Sequence, residues 1–244
     1  MNELDRSIVD AQGFFVGRRD VGYESKEEFI EDALNKDVPI ENLRFSYWKK
    51  EEIDLLKAIR ERDETQFTFF WETKSPFSQW HKSLFKSSDV SFHKGIYEQQ
   101  KEYLKSSLPN ELEFSSAEQF MMYHKAIIFL DREIADNILN TSNPRKLKEL
   151  GRQVKNYDDD IWKYHRSNVI YAANKAKFSQ TPRLMDVLTD TMGTTLVEAA
   201  PNDKIWGIGL VADDIKAQKR ETWEGKNLLG EILTLLRMEF MGMY

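Results

Sequence analysis

The stretch Ser115 to Leu130, SSAEQFMMYHKAIIFL, constrains this chain more than any other. On a helical wheel at about 100° per residue with Glu118 at zero, Met122 falls near 40°, Phe129 near 20° and Lys125 near −20°. The other side carries Phe120, Tyr123, Ile127 and Leu130. A helix that is apolar nearly all round should be buried among other elements. Its start is marked by Ser115-Ser116-Ala117-Glu118, read as a capping box in which Ser115 and Glu118 satisfy each other's backbone donors. Two charges share the buried face. Seven residues put the backbones of Glu118 and Lys125 on the order of 10 Å apart, too far for a simple helical ion pair but suited to converging on one ligand. A plain structural role stands beside each reading: Glu118 as capping partner, Lys125 as a snorkelling lysine.

The rest of the chain predicts a helix-dominated α+β fold with a few short strands. Residues 66–71, QFTFFW, are aromatic and β-branched enough for a strand. Residues 75–80, SPFSQW, read as a structured loop, because Pro76 disfavours helix at Ser75. Residues 86–114 are turn-rich at both ends and helical in composition over 96–104, which predicts a surface insertion with one short helix. Further helix starts are expected at Asn143 before Pro144, at Asp158 to Asp160 before Ile161, and at Thr181 before Pro182. Gly151 reads as a helix C-terminal glycine. A last helix begins near Asn227, with Leu228, Leu229, Ile232, Leu233, Leu235 and Leu236 as a wide apolar stripe.

Charge divides the chain unevenly. Of 35 basic and 41 acidic residues, net −6, residues 1–64 hold 11 and 17, and the remainder is balanced. No global basic field exists to coat a polyanion, so a stable nucleic-acid complex is not expected. The acidic first quarter, with a short β-like opening at 13–23 and helix-patterned stretches near 25–36 and 49–63, reads as an N-terminal extension over 1–64 joined to a main domain over 65–244. There are no cysteines, and the four His never fall at metal-ligand spacing, so neither disulfide nor zinc chemistry is expected. No run of about 18 apolar residues occurs, and the N-terminus is acidic where a targeting peptide would be basic. A soluble cytoplasmic protein is expected, in the host cytoplasm if the source is viral.

Two other clusters carry polar chemistry. In 200–209, APNDKIWGIG, a turn acid at Asp203 lies three residues before Trp206-Gly207, which places a carboxylate, an aromatic plane and backbone amides together. Such a loop suits a planar base and a sugar, and equally an Asx turn followed by a buried Trp. In 225–230, GKNLLG, a flexible loop and the amide of Asn227 open the last helix, either as a phosphate or hydroxyl contact or as a simple N-cap. Trp162 is a core residue or a stacking surface.

The ordered series resembles one family. It runs Pro76-Phe77-Ser78-Gln79-Trp80, Ala117-Glu118-Gln119-Phe120-Met121-Met122 with Lys125-Ala126, Leu150-Gly151-Arg152, Trp162 and Ala176-Lys177-Phe178. It continues through Leu196-Val197-Glu198-Ala199, Pro201-Asn202-Asp203 with Trp206-Gly207-Ile208-Gly209, and Gly225-Lys226-Asn227-Leu228-Leu229-Gly230. Over roughly 67–239 this is similar to the NADAR family, also called YbiA-like or DUF1768, of N-glycosidases acting on ribosylated bases. The resemblance implies a YbiA-like single domain that hydrolyses the bond between a ribose carbon and a base nitrogen. The implied substrates are ADP-ribosylated guanine in nucleic acid or ribosylamino-pyrimidine intermediates of the riboflavin pathway, with no cofactor.

By position the resemblance implies Glu118, Lys125 and Asp203 as catalytic residues. It implies Ser78, Trp80, Gln119, Arg152, Trp162, Trp206, Gly207 and Asn227 as substrate contacts, with Arg152 or Asn227 holding phosphate or sugar. A carboxylate near the anomeric carbon would stabilise the positive charge that develops there. A lysine on an apolar face loses its charge more easily and could attack that carbon as a free amine. The acidic extension and the 86–114 insertion depart from the family pattern. The alternatives are a non-catalytic module that binds ADP-ribose or another nucleotide, and an interaction protein driven by the acidic region.

Overall fold

The computed structural model describes residues 66–87 and 111–241, together with the backbone of three strands nearer the N-terminus. Those are β1 (Ser7–Val9), β2 (Phe15–Arg18) and β3 (Leu43–Ser46), with β1 antiparallel and β3 parallel to β2. The acidic stretches near 25–36 and 49–63, and the helix expected over 96–104, lie outside the described residues.

The main body follows in chain order as β4 (Phe67–Phe70), β5 (Phe85–Ser87), β6 (Leu112–Phe114), α1 (Ala117–Ile128) and α2 (Arg132–Leu139). Then come α3 (Pro144–Arg152), α4 (Asp159–Ser179), α5 (Pro182–Thr189), β7 (Thr195–Glu198) and α6 (Leu228–Phe240). The architecture is the helix-dominated α+β fold that the periodicities predict. No helix among the described residues is long and apolar enough to cross a membrane.

Helix α1 is the centre. Every one of its residues except Lys125 is buried, and it packs against α2, α3 and α4. Phe120, Ile127 and Ile128 are almost fully excluded from solvent, and each such side chain stabilises the fold by roughly 1.5–3 kcal/mol.

The helix starts one residue away from the Ser115/Glu118 box. Ser116 is the N-cap, its side chain accepting from the Gln119 amide at 3.2 Å, while Gln119 Oε1 accepts from the Ser115 amide at 2.7 Å. The Glu118 amide instead donates to Gln79 O at 2.9 Å. A carbonyl from the distant 75–80 loop thus fills the place that local pattern gave to a side chain, and the Glu118 carboxylate is released from capping.

Asn143 and Asp158 cap α3 and α4 through their side chains, whereas Thr181 precedes α5 without a side-chain cap bond. Where they are described, the ends of the 86–114 insertion are paired strands, with Phe85 opposite Phe114, and the turn-rich stretches between them lie outside the described residues. The Phe85 and Phe114 rings stack and extend onto Phe120 of α1, which gives the strands an apolar reason to pair.

Gly151 lies in the last turn of α3, next to its C-terminal residue and buried, and a Cβ there would come within 2.0 Å of Met122 Sδ. It is small because α1 and α3 touch at that point.

Strand β7 pairs in parallel with β4, Thr195 opposite Phe67 and Glu198 opposite Phe70. Its other edge is closed by α6. Asn227 accepts from the Glu198 amide at 3.0 Å and donates to Leu196 O at 2.9 Å, and Thr234 Oγ1 accepts from the Leu196 amide at 3.0 Å. Side chains thereby satisfy a strand edge that would otherwise be an open template. So close an approach requires Gly230, where a Cβ would stand 2.0 Å from Leu196 O.

Candidate active site

Glu118 lies in the first turn of α1 and is only 5% exposed. Burial pushes its carboxyl up to about 7, against the pull of Lys148, the Trp80 indole N–H and Lys125; the charge of Asp203 adds to the rise. A second buried carboxyl stands beside it. Glu198, at the end of β7, is pushed up to about 8 by burial and by the neighbouring Asp203 and Glu118 charges, and its Oε2 is buried without a partner.

Three acids therefore converge from three elements: the α1 N-terminus, the end of β7 and the loop after it. Lys148 of α3 faces both glutamates and lies 5.5 Å from the Trp80 ring centre.

Asp203 is fixed by its own turn. Its Oδ1 accepts from the amides of Ile205 and Trp206 at 2.9 and 2.8 Å, so the Asx geometry and the proximity to Glu118 coexist. Gly207 follows because a Cβ there would meet Glu198 O at 2.7 Å and Asp203 O at 3.1 Å. Its smallness draws the acid loop against β7.

Lys125 reaches the same region from the next turns of α1. Its Nζ donates to Gly151 O at 2.8 Å and sits 4.3 Å from the Tyr157 ring centre and 5.9 Å from that of Trp162. Burial lowers its pKa, while Asp159 and Glu118 oppose the shift. Trp162 is 8% exposed within the main core and still borders Lys125, so packing and site lining are both true of it.

The remaining expected contacts separate into groups. Trp80 faces Glu118, and Trp206 is half-buried with the Arg166 guanidinium 5.9 Å from its ring centre. Ser78 is buried, accepting from the Trp80 amide through its Oγ at 3.2 Å and from Lys177 through its carbonyl at 3.0 Å. Gln119 is turned away from the acids, donating to Ile138 O and Thr141 O at 3.0 and 2.9 Å. Arg152 is exposed at the end of α3, and both amide atoms of Asn227 are held by β7. Asn227 takes a left-handed conformation and makes no side-chain cap bond, so its geometry serves Glu198.

The fold brings here five residues that sequence reasoning gave no role in the site: Glu198 and Gln79, which stood only in the motif series, and Lys148, Tyr157 and Arg166. Glu198 carried the clearest signal, a charge ending the buried strand TLVE. Arg166 lies one turn beyond Trp162 on α4, a spacing that places both on one face. Gln79 is 6% exposed with both amide atoms unpartnered.

Lys177 supports the loop from beneath. Fully buried, it donates to Pro76 O and Ser78 O at 2.6 and 3.0 Å, and burial lowers its pKa to about 7.

The NADAR domain profile matches residues 69–241. The N-glycosidase R617 of Acanthamoeba polyphaga mimivirus is 45% identical over 139 residues, which cover 57% of this chain and 81% of that protein. Protein irg-1 of Caenorhabditis elegans is 36% identical over 188 residues, covering 75% of this chain and 84% of that protein. The NMR structure of the Escherichia coli protein YbiA superposes with a TM-score of 0.52 at 22% identity, over 75% of this chain and 91% of that one. At that identity the likeness bears on the fold.

Proposed function

The chain belongs to the NADAR domain family, and from that premise we propose that Glu118, assisted by Asp203 and Lys125, cleaves a ribose–base bond in the pocket around α1. The enzyme is a hydrolase of the N-glycosidase kind, as its 45% identity to an N-glycosidase supports. Its substrate is a ribosylated base, either ADP-ribosylated guanine in nucleic acid or a ribosylamino-pyrimidine.

The observation that carries the assignment is the buried Glu118 carboxyl, held near 7 among two further acids, Lys148 and the Trp80 indole. Hydrolysis adds water across the C–N bond: the hydroxyl goes to the sugar carbon and a proton to the departing base nitrogen. Positive charge grows on the sugar as the bond breaks, and a carboxylate in a water-poor site stabilises it strongly. A carboxyl that titrates near neutrality can also take the proton from water and return one to the base. Asp203, fixed by two backbone amides, suits a ribose hydroxyl or the leaving base. Lys125 is the candidate for covalent attack, since its lowered pKa enlarges the share of free amine.

Mass spectrometry of the full chain incubated with ADP-ribosylated DNA and with a ribosylamino-pyrimidine phosphate, with and without borohydride, tests the reading. Free base is expected from one of them, with Glu118→Gln reducing the rate by about 10²–10⁴-fold. A reduced adduct on Lys125 would establish the covalent route, and turnover without one would leave water activated by Glu118. Release of no base from either substrate would refute the assignment.

A further inference from the structure

Among the described residues, Arg166 is a buried cation with no anion in hydrogen-bond contact. It is 8% exposed, its Nε is shut off from solvent with no acceptor, and its guanidinium forms no hydrogen bond or ion pair with any described residue. The Asp159 carboxylate of its own helix acts on it only through space, without a hydrogen bond. Asp159 is exposed and engaged by Lys163 at 2.6 Å and by the Tyr157 hydroxyl at 2.8 Å. A guanidinium nitrogen shut off from water without an acceptor carries a desolvation cost. Proteins retain such a group where a ligand supplies the missing charge.

Its surroundings identify the charge and its carrier. The guanidinium lies 5.9 Å from the Trp206 ring centre, and Trp206 follows the Asp203 turn. On the other side it stands within electrostatic reach of Tyr157, whose ring lies 4.3 Å from Lys125 Nζ. Lys125 joins this region to the acids: it is within electrostatic reach of Glu118 and lies over the Tyr157 ring, while Arg166 approaches Tyr157 and Trp206.

A riboside with its anomeric carbon at Glu118 and the remainder of its sugar along Lys125 and Tyr157 would bring a phosphate on that sugar toward Arg166. We infer that Arg166 is the receptor for a phosphate esterified to the substrate ribose, bound through the guanidinium fork. The inference rests on the N-glycosidase reading for the placement of the sugar, whereas the anion site itself rests on Arg166 alone. It selects phosphorylated ribosides over neutral nucleosides, whether the phosphate ends the molecule or begins a diphosphate.

The test joins thermal unfolding of the full chain to kinetics, using wild type, Arg166→Gln and Arg166→Lys with ribose, ribose 5-phosphate and ADP-ribose. Without ligand, Arg166→Gln is expected to melt at or above wild type, since it removes an unpaired buried charge. Ribose 5-phosphate or ADP-ribose should raise the melting temperature of wild type where ribose does not. Arg166→Gln should lose that rise and Arg166→Lys retain part of it. A rise with only one of the two phosphates supports the assignment and names the carrier.

In turnover, the ratio of kcat/KM for a phosphorylated ribosylamino-pyrimidine over its dephosphorylated form should fall about 100-fold in Arg166→Gln, the scale of a charge-assisted contact. A ligand-free variant melting several degrees below wild type would make Arg166 a structural residue and overturn the inference. So would an unchanged phosphate-induced rise, or an unchanged ratio in an enzyme that still cleaves both substrates. Arg166-dependent phosphate binding by a protein that cleaves no riboside would uphold the anion site and overturn the glycosidase assignment instead.

Discussion

At the residue scale the site is governed by how three acids share little solvent. Glu118 and Glu198 titrate near 4.5 when the chain is unfolded and near 7 and 8 when it is folded. Between those limits the folded protein binds more protons than the unfolded one, so their contribution to stability is full below about 4.5 and is lost as pH rises through 7 and 8. Glu198→Gln should therefore raise the melting temperature by on the order of 2–4 °C at pH 8 and by less at pH 5; a gain independent of pH would deny the burial account. The same electrostatics set the activity profile. With Glu118 as base, kcat/KM should climb with pH through an inflection near 7. Lys148→Met removes the strongest opposing charge and should move that inflection upward, while Asp203→Asn should move it downward in whatever activity remains. Measured pH profiles of the two variants that shift in the same direction would separate the inflection from Glu118.

At the element scale, two glycines test how tightly the scaffold holds these side chains. At Gly151 an added methyl meets the flexible end of Met122, whereas at Gly230 it meets the backbone oxygen of Leu196. A thioether can swing aside, but β7 cannot retreat without leaving β4 and loosening the Asn227 clamp. Gly230→Ala should thus cost about 1–3 kcal/mol more than Gly151→Ala in urea unfolding, the range of an overpacked core, and should also lower turnover by displacing Glu198. Much of the element plan was legible because its signals are local: the caps Asn143 and Asp158, the apolar wheel of α1 and the stripe of α6 act within a few residues of themselves. The shifted start of α1, the strand ends of the 86–114 insertion and the close contact at Gly151 were not. Each depends on a distant partner: Gln79 O for the Glu118 amide, Phe120 for the Phe85 and Phe114 rings, and Met122 for Gly151.

At the scale of the whole molecule, the same division runs through the site. Glu118, Lys125 and Asp203 were visible as charges in apolar or turn contexts. Arg166 and Glu198 acquire meaning only when α4, β7 and the 200–209 loop converge. Charge patterning adds a constraint that no single contact contains, because the net −6 resides in residues 1–64 and the remaining 180 residues are neutral overall. A phosphate buried in the pocket is governed by Arg166 at close range. The long polyanion of a nucleic-acid substrate also meets the summed field of the chain, which decays over roughly 8–10 Å at physiological salt. If residues 1–64 stand apart from the catalytic domain as an acidic extension, they should repel DNA and leave small phosphorylated ribosides unaffected. The ratio of kcat/KM for ADP-ribosylated DNA over a ribosylamino-pyrimidine phosphate should then rise several-fold in the full chain between about 20 and 200 mM salt, as screening removes the repulsion. In a 65–244 fragment that ratio should begin higher and stay flat or fall, because only attractive phosphate contacts remain to be screened. Parallel salt dependence in the two proteins would place the acidic residues away from the path of the substrate, and the choice between the two substrate classes would then rest on the pocket alone.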